Sequence, residues 1–300
     1  MVIKLPGKPL LIAAAGAAVL GLTGYVWKEE HRPRLLEIYV FSLKSGISVF
    51  IRTPEDKRIL VDGGGNAEVI RHLSKILPFY TRRIDAVMAT AAEGKKVSGL
   101  IDVINRYSVE RAYIPALTLN SLKLSSSTDP VYKMFFRSLK TKKIPIDELS
   151  AGMRIDLDST SSAFILFPAP ADDFAYSTAS SPEVLIKVKY GKTSAVFLGN
   201  ASTKIQRYIA SSSRTEIENT NVLIVSQSAL PSNMAPSLLK IANPEFLVYS
   251  KSVANVRSLS TKENRDSRTA LMPENRFNLK STGDIKIISD GTAVQIKSAP

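Results

Sequence analysis

From Leu35 onward the chain alternates short runs of β-branched and aromatic residues with runs of helical period, once in each half. No other feature constrains the fold as strongly. Strands interleaved with helices build sheets covered by helices, so the pattern predicts an α/β domain of two sheets. In the first half the strand-like runs are Leu35–Leu43, ISVFIR from Ile47, RILVD ending at Asp62, IDAVMAT at 84–90 and RAYIP at 111–115. Gly46 separates the first two as in a tight hairpin. Helices are expected in NAEVIRHLSKIL with Val69, Leu73, Ile76 and Leu77 on one face, around Ser98–Tyr107, and from about Val131. In the second half AFILF (163–167), EVLIKVKY (183–190), SAVFLG (194–199), NVLIVS (221–226) and EFLVYS (245–250) read as strands. A helix is expected from Ser202, and two strands near Ile285–Ser289 and Ala293–Lys297 close the chain. No Pro- or Gly-rich linker divides residues 29–300, so one domain is expected there.

Ahead of this pattern, LLIAAAGAAVLGLTGYVW (Leu10–Trp27) carries no charge and lies between Lys4 and Lys8 on one side and Lys28 on the other. At 1.5 Å per residue it covers roughly 27 Å, enough to cross the hydrocarbon of a bilayer. Tyr25 and Trp27 suit the membrane interface, and no small-x-small cleavage site ends the segment cleanly. These features predict an uncleaved signal-anchor at 1–28 and a single pass through the cell membrane, with the domain at 29–300 outside the cytoplasm. A cleaved signal peptide is the alternative.

The chain of 300 residues has two histidines, no cysteine, and 40 Lys+Arg against 27 Asp+Glu. Zinc sites drawing on nitrogen and sulfur cannot be assembled, and disulfides, thiol catalysis and iron–sulfur clusters are excluded. The +13 charge points to phosphates or an anionic surface as neighbours. Neither histidine has a motif partner: His31 flanks the anchor, and His72 falls at a surface-like helix position.

The segment YVFSLKSGISVFIRTPEDKRILVDGGG, followed by IDAVMATAAEGKKVSGL, YGKTSAVFLGNAS and VLIVSQS, resembles the metallo-β-lactamase-fold domain of ComEC-type competence proteins. The match runs in motif order through nearly all of 35–300. The resemblance implies a four-layer αββα sandwich, preceded here by one transmembrane helix, with a metal site at the strand ends between the halves. It also implies that the metal ligands are missing. Against the family motif T-H-x-D-x-D-H-x-x-G-L, Ala91 stands for the first histidine, Glu93 for the next acidic position, Lys95 for the aspartate and Lys96 for the last histidine. Asn200 replaces the bridging carboxylate, and Gln227 and Ser228 fall where further ligands belong. No catalytic residue, metal or cofactor is therefore expected.

Asp62 remains, after a strand and before three glycines, where a carboxylate commonly accepts backbone N–H bonds. A magnesium site from Asp62, Glu93 and Asn200 is conceivable, but Lys95 and Lys96 beside it repel a cation. Those two lysines, at a helix N-terminus, are candidates for anion binding, against the alternative of two solvated loop lysines. Lys133, Arg137 and Lys140 join them, in a basic helix at 131–143 whose apolar positions are Val131, Met134, Phe135 and Leu139. Such a helix suits anionic lipid, a nucleic-acid backbone, or simply a sheet on one side and water on the other. Residues 251–280 read as a polar loop carrying Arg257, Arg265 and Arg268, and the serine runs at 125–128, 159–162 and 211–213 read as loop filler. The expected role is binding, of DNA, another polyanion or an envelope partner in DNA uptake. The alternatives are a ComEC-type metal-dependent hydrolase or phosphodiesterase (nuclease) with an altered site, and a structural envelope scaffold.

Overall fold

Gly46 adopts φ +84°, a left-handed conformation that glycine enters without steric cost, and it closes the hairpin from which the first sheet grows. The computed structural model describes residues 34–116, 129–170, 173–174, 183–226, 234–250 and 271–300. In the first half the order is β1 (Leu36–Ser42), β2 (Ile47–Arg52), β3 (Arg58–Val61), α1 (Glu68–Ile76), β4 (Arg83–Met88), α2 (Gly94–Arg106), β5 (Ser108–Pro115), α3 (Pro130–Thr141) and β6 (Ile146–Leu149). The second half follows with β7 (Arg154–Asp156), β8 (Ser161–Phe167), β9 (Leu185–Tyr190), β10 (Thr193–Gly199), α4 (Thr203–Ser212), α5 (Arg214–Ile217), β11 (Val222–Val225), α6 (Pro236–Ala242), β12 (Phe246–Tyr249) and β13 (Asn275–Asn278). Helix α7 (Leu279–Thr282), β14 (Ile285–Ser289) and β15 (Val294–Ser298) complete the chain.

The strands form an eight-stranded sheet, β15-β14-β1-β2-β3-β4-β5-β6, and a seven-stranded sheet, β13-β12-β11-β10-β9-β8-β7. Across its width each sheet passes from antiparallel to parallel pairing: hairpins join β1 to β2, β2 to β3 and β9 to β10, helical crossovers join β3 to β4, β4 to β5, β10 to β11 and β11 to β12, and β14 and β15 return to pair antiparallel beside β1. Side chains alternate across each strand, so each sheet has two apolar faces to bury. The inner faces meet in one core, with Ile38, Val49, Ile59 and Met88 from the first sheet and Ile165, Ile186, Phe197 and Ile224 from the second. The outer face of the first sheet carries α1, α2 and α3 through Leu73, Leu100 and Phe135, and that of the second carries α4 and α6 through Ile209 and Leu238. The result is the four-layer αββα arrangement, within one compact unit, Leu35–Pro300.

Several expectations are corrected. Helix α3 buries Tyr132, Phe135 and Leu139, while Met134 is half-exposed and Val131 only partly buried. His72 is buried, with Nδ1 on the Asp284 carboxylate and its ring 5.2 Å from that of Phe41. Asp284 also accepts the Ser42 N–H at 2.8 Å, so the imidazole clamps α1 to the β1 and β14 edge. Ser161 and Ser162 open β8, and Ser211 and Ser212 end α4, so those serines are not loop filler. The transmembrane segment expected in 1–28 lies outside the described residues. Among the described residues no helix is long and apolar enough to cross a membrane.

Asp158 ties the β7–β8 turn together: its Oδ1 accepts Thr160 N–H at 2.8 Å and Ser161 N–H at 2.7 Å, and its Oδ2 accepts Glu55 N–H at 3.1 Å. Burial pushes this carboxyl up, but bonds from Thr53, Thr160 and Ser161 outweigh it and hold its pKa at about 2. The folded value lies below the unfolded one, near 3.9. The stabilisation is therefore complete above about pH 4 and lost as pH falls through about 2. In urea titrations between those values, wild type is expected to lose more stability than Asp158→Asn; equal losses would remove Asp158 from the acid response.

Candidate functional site

The parallel strands β3 and β4 of the first sheet end beside the start of β9 and the end of β10 in the second, and the candidate site lies there. Asp62 follows β3 with φ +57°, a left-handed conformation that aspartate tolerates better than most residues. Its N–H continues the ladder to Met88 O at 2.8 Å, which aims the side chain at the end of β4. There Oδ1 accepts Thr90 N–H at 2.8 Å and Oδ2 accepts the Thr90 hydroxyl at 2.6 Å. Asp62 thus accepts a backbone N–H, though from the neighbouring strand end rather than from its own glycine turn.

Lys96 supplies the third partner. Its ammonium donates to Asp62 Oδ2 at 2.9 Å and to Glu183 Oε1 at 3.1 Å, and all three residues are buried. Burial works against this charge, but the Asp62 and Glu183 carboxylates outweigh it and hold the ammonium protonated above its ordinary range. On Glu183 burial prevails: it pushes the carboxyl up despite Lys96 and a bond from the Asn200 N–H. Two buried acids sharing one fixed cation account for both directions.

The backbone is shaped around this triad. Gly63 N–H donates to Lys96 O at 2.7 Å and Gly99 N–H to Gly64 O at 3.1 Å, so the glycine turn lies directly on the first turns of α2. Gly199, with φ +50°, leaves the space that the Glu183 carboxyl occupies: a Cβ at that position would come within 2.7 Å of Glu183 Cδ. Thr90 O accepts the Val184 N–H at 2.6 Å and joins the two sheets beside the triad.

The remaining expected residues are placed as follows. Ala91 is buried and offers no ligand, and Glu93 is the N-cap residue of α2, pairing with Lys95 at 2.9 Å. Asn200 contributes its N–H while its side chain is exposed. Anion binding at Lys96 is corrected, since its ammonium is buried and already paired with two carboxylates. The α2 N-terminus is also taken, because Asp129 Oδ2 accepts Gly94 N–H at 2.7 Å while Oδ1 caps α3 through Val131 N–H at 2.8 Å. Lys133, Arg137 and Lys140 lie on α3, apart from the triad, with Lys140 over the Phe136 ring at 5.5 Å. Gln227, Ser228, Arg257, Arg265 and Arg268 lie outside the described residues.

Sequence reasoning passed over Glu183, Thr90 and Asp129 as site residues. Glu183 had one visible signal, a carboxylate directly ahead of the apolar run VLIKV.

No protein-family model matches this sequence, and no curated protein matches it. Solved structures do match in shape. Zn2+-bound PqqB from Methylobacterium extorquens is 10% identical over 81% of this chain and 97% of its own, with TM-score 0.55. Tm1679, described as a metal-dependent hydrolase of the β-lactamase superfamily, is 12% identical over 81% of this chain and 94% of its own, with TM-score 0.50. The fold is that of the metallo-β-lactamases. YhfI from Bacillus subtilis, a metallo-β-lactamase fold protein, aligns at 12% identity over 81% of this chain and 95% of its own, with TM-score 0.47.

The metal associated with this fold does not fit the residues present. A divalent ion needs several anionic or imidazole donors with room between them. Here two carboxylates close on an ammonium that is part of the chain, and an entering cation would meet that charge at hydrogen-bond distance. Among the described residues no group of three or more His, Cys, Asp or Glu is arranged to hold a metal.

Proposed function

We propose that this protein is a non-hydrolytic relative of the ComEC-type domain, anchored to the cell membrane through residues 1–28, with its metallo-β-lactamase-fold domain outside the cytoplasm acting by binding. One observation carries the reading: the Lys96 ammonium sits between Asp62 Oδ2 at 2.9 Å and Glu183 Oε1 at 3.1 Å. Metal-assisted hydrolysis requires an ion with an open position for water. An ammonium has neither the Lewis acidity nor that position.

Elemental analysis after expression with added zinc, manganese or magnesium tests this, together with assays on β-lactam, phosphodiester and DNA substrates. The expected result is no stoichiometric metal, no turnover, and a melting temperature unchanged by EDTA. One bound metal per chain, with cleavage abolished in Asp62→Ala, overturns it in favour of a metal-dependent phosphodiesterase.

A further inference from the structure

We propose that the end of the first sheet opposite Asp62 is a lipid-facing surface, at which Phe79 and Tyr80 enter the headgroup layer of an anionic bilayer. The inference rests on the membrane-anchor reading above and deepens it. Helices α1, α2 and α3 each cross over between parallel strands, so all three end where β4, β5 and β6 begin. Their last turns carry Lys75, Arg106 and Lys140. Complementing the helix dipoles is reason enough for those three. It does not explain Arg82, Lys142 and Lys143, which are exposed at the same end. Ser108 N–H bonds Arg82 O at 2.7 Å, and Arg106 and Lys142 line one depression with Ser108. No acidic residue interrupts 75–83, 104–107 or 139–145. The nearby Asp85 and Glu110 are paired with Arg83.

Amid these cations, in the turn between α1 and β4, Phe79 is 89% exposed and Tyr80 71%, their rings edge to face at 5.4 Å. Two large apolar side chains side by side in water, at a sheet end rich in exposed cations, match the chemistry of a bilayer interface, where aromatic bodies sit at headgroup level and cations meet lipid phosphates.

A nucleic acid would also accept cations and stacked aromatics. The path of the chain favours lipid. Glu37, near the start of β1, pairs with Arg52, and Arg52 with Arg58, the first residue of β3. The chain therefore enters the first sheet at this same end. In sequence Leu36 follows the apolar stretch ending at Trp27 by nine residues, a tether that spans at most about 30 Å. An anchored chain with so short a tether brings this end to the bilayer.

The chain has no native cysteine, so a single Tyr80→Cys carries one nitrobenzoxadiazole probe, with Lys95→Cys as the control at the Asp62 end. The full chain is reconstituted in phosphatidylcholine vesicles containing about 30% phosphatidylglycerol and a spin-labelled quencher lipid. The probe at 80 is expected to be quenched and blue-shifted, and the probe at 95 not. Adding Arg82→Glu with Lys142→Glu is expected to lower the ratio of quenched to unquenched probe about thirtyfold or more, each of the two basic residues contributing about 1 kcal/mol near such a surface. Chains that float with the vesicles but show equal quenching at 80 and 95 overturn the surface and leave the anchor standing. Chains that do not float overturn both. A probe at 80 that responds to an oligonucleotide and not to vesicles assigns the surface to nucleic acid and also overturns the proposal.

Discussion

Replacing Lys96 by methionine is expected to cost about 3–5 kcal/mol of unfolding free energy, the range for removing one partner of a buried ion pair. Methionine approximates the length of the stem but leaves Asp62 and Glu183 facing each other with no cation between them. The loss should be read as a fall in urea midpoint at unchanged slope. Adding Glu183→Gln to Lys96→Met is expected to recover part of it, because a neutral amide removes the repulsion and still accepts the Asn200 N–H. The double-mutant cycle isolates that coupling. A loss below about 1 kcal/mol in Lys96→Met would mean that the ammonium is solvated rather than held, and would remove the physical basis for the non-hydrolytic reading.

Gly99→Ala is the second large effect, and its sign is diagnostic. In an exposed helix interior this exchange stabilises by about 1 kcal/mol, since alanine has the higher helix propensity. At Gly99 a Cβ would lie 2.6 Å from Asn66 O and 2.8 Å from Gly63 C, and closer still to Gly63 O. All three are backbone atoms fixed by the turn on α2, so nothing flexible can yield. A loss of about 4 kcal/mol or more, or failure to fold, is expected. Gly65→Ala is the control: a Cβ there meets the Ser45 Cβ at 3.5 Å, an ordinary contact, and should shift the melting temperature little. Equal tolerance of both substitutions in a thermal melt would contradict the close approach of turn and helix.

The runs that became central strands were legible because both of their faces are buried, which demands apolar residues at nearly every position, as in Val222–Val225. Strands β6, β7 and β13 were not legible. IDEL, RID and NRFN are short and largely polar, and among the described residues β6, β7 and β13 each pair on one side only. Helix α2 starts four residues before the expected Ser98, because the acceptor that fixes its first turn, the Asp129 carboxylate, is 35 positions away. The burial of Lys96 is hidden in the sequence for the same reason. Next to a glycine, another lysine and a helix start, Lys96 has the local signature of a solvated or anion-binding residue. What buries it is Asp62 at 34 positions and Glu183 at 87, and separation on that scale leaves no periodicity to read. His72 repeats the case with Asp284, 212 positions away.

The pairing of β1 with β14 sets Leu36 opposite Ser289 and thereby imposes an order in time. During synthesis, β1 leaves the ribosome about 250 residues before its neighbour exists, an interval on the order of 10–50 s at ordinary elongation rates. Throughout it the β1 edge has no partner on that side, and the clamp from Asp284 to Ser42 and His72 cannot form. The nascent domain therefore holds an open strand edge for most of its synthesis. Completion of the first sheet waits for β14 and β15.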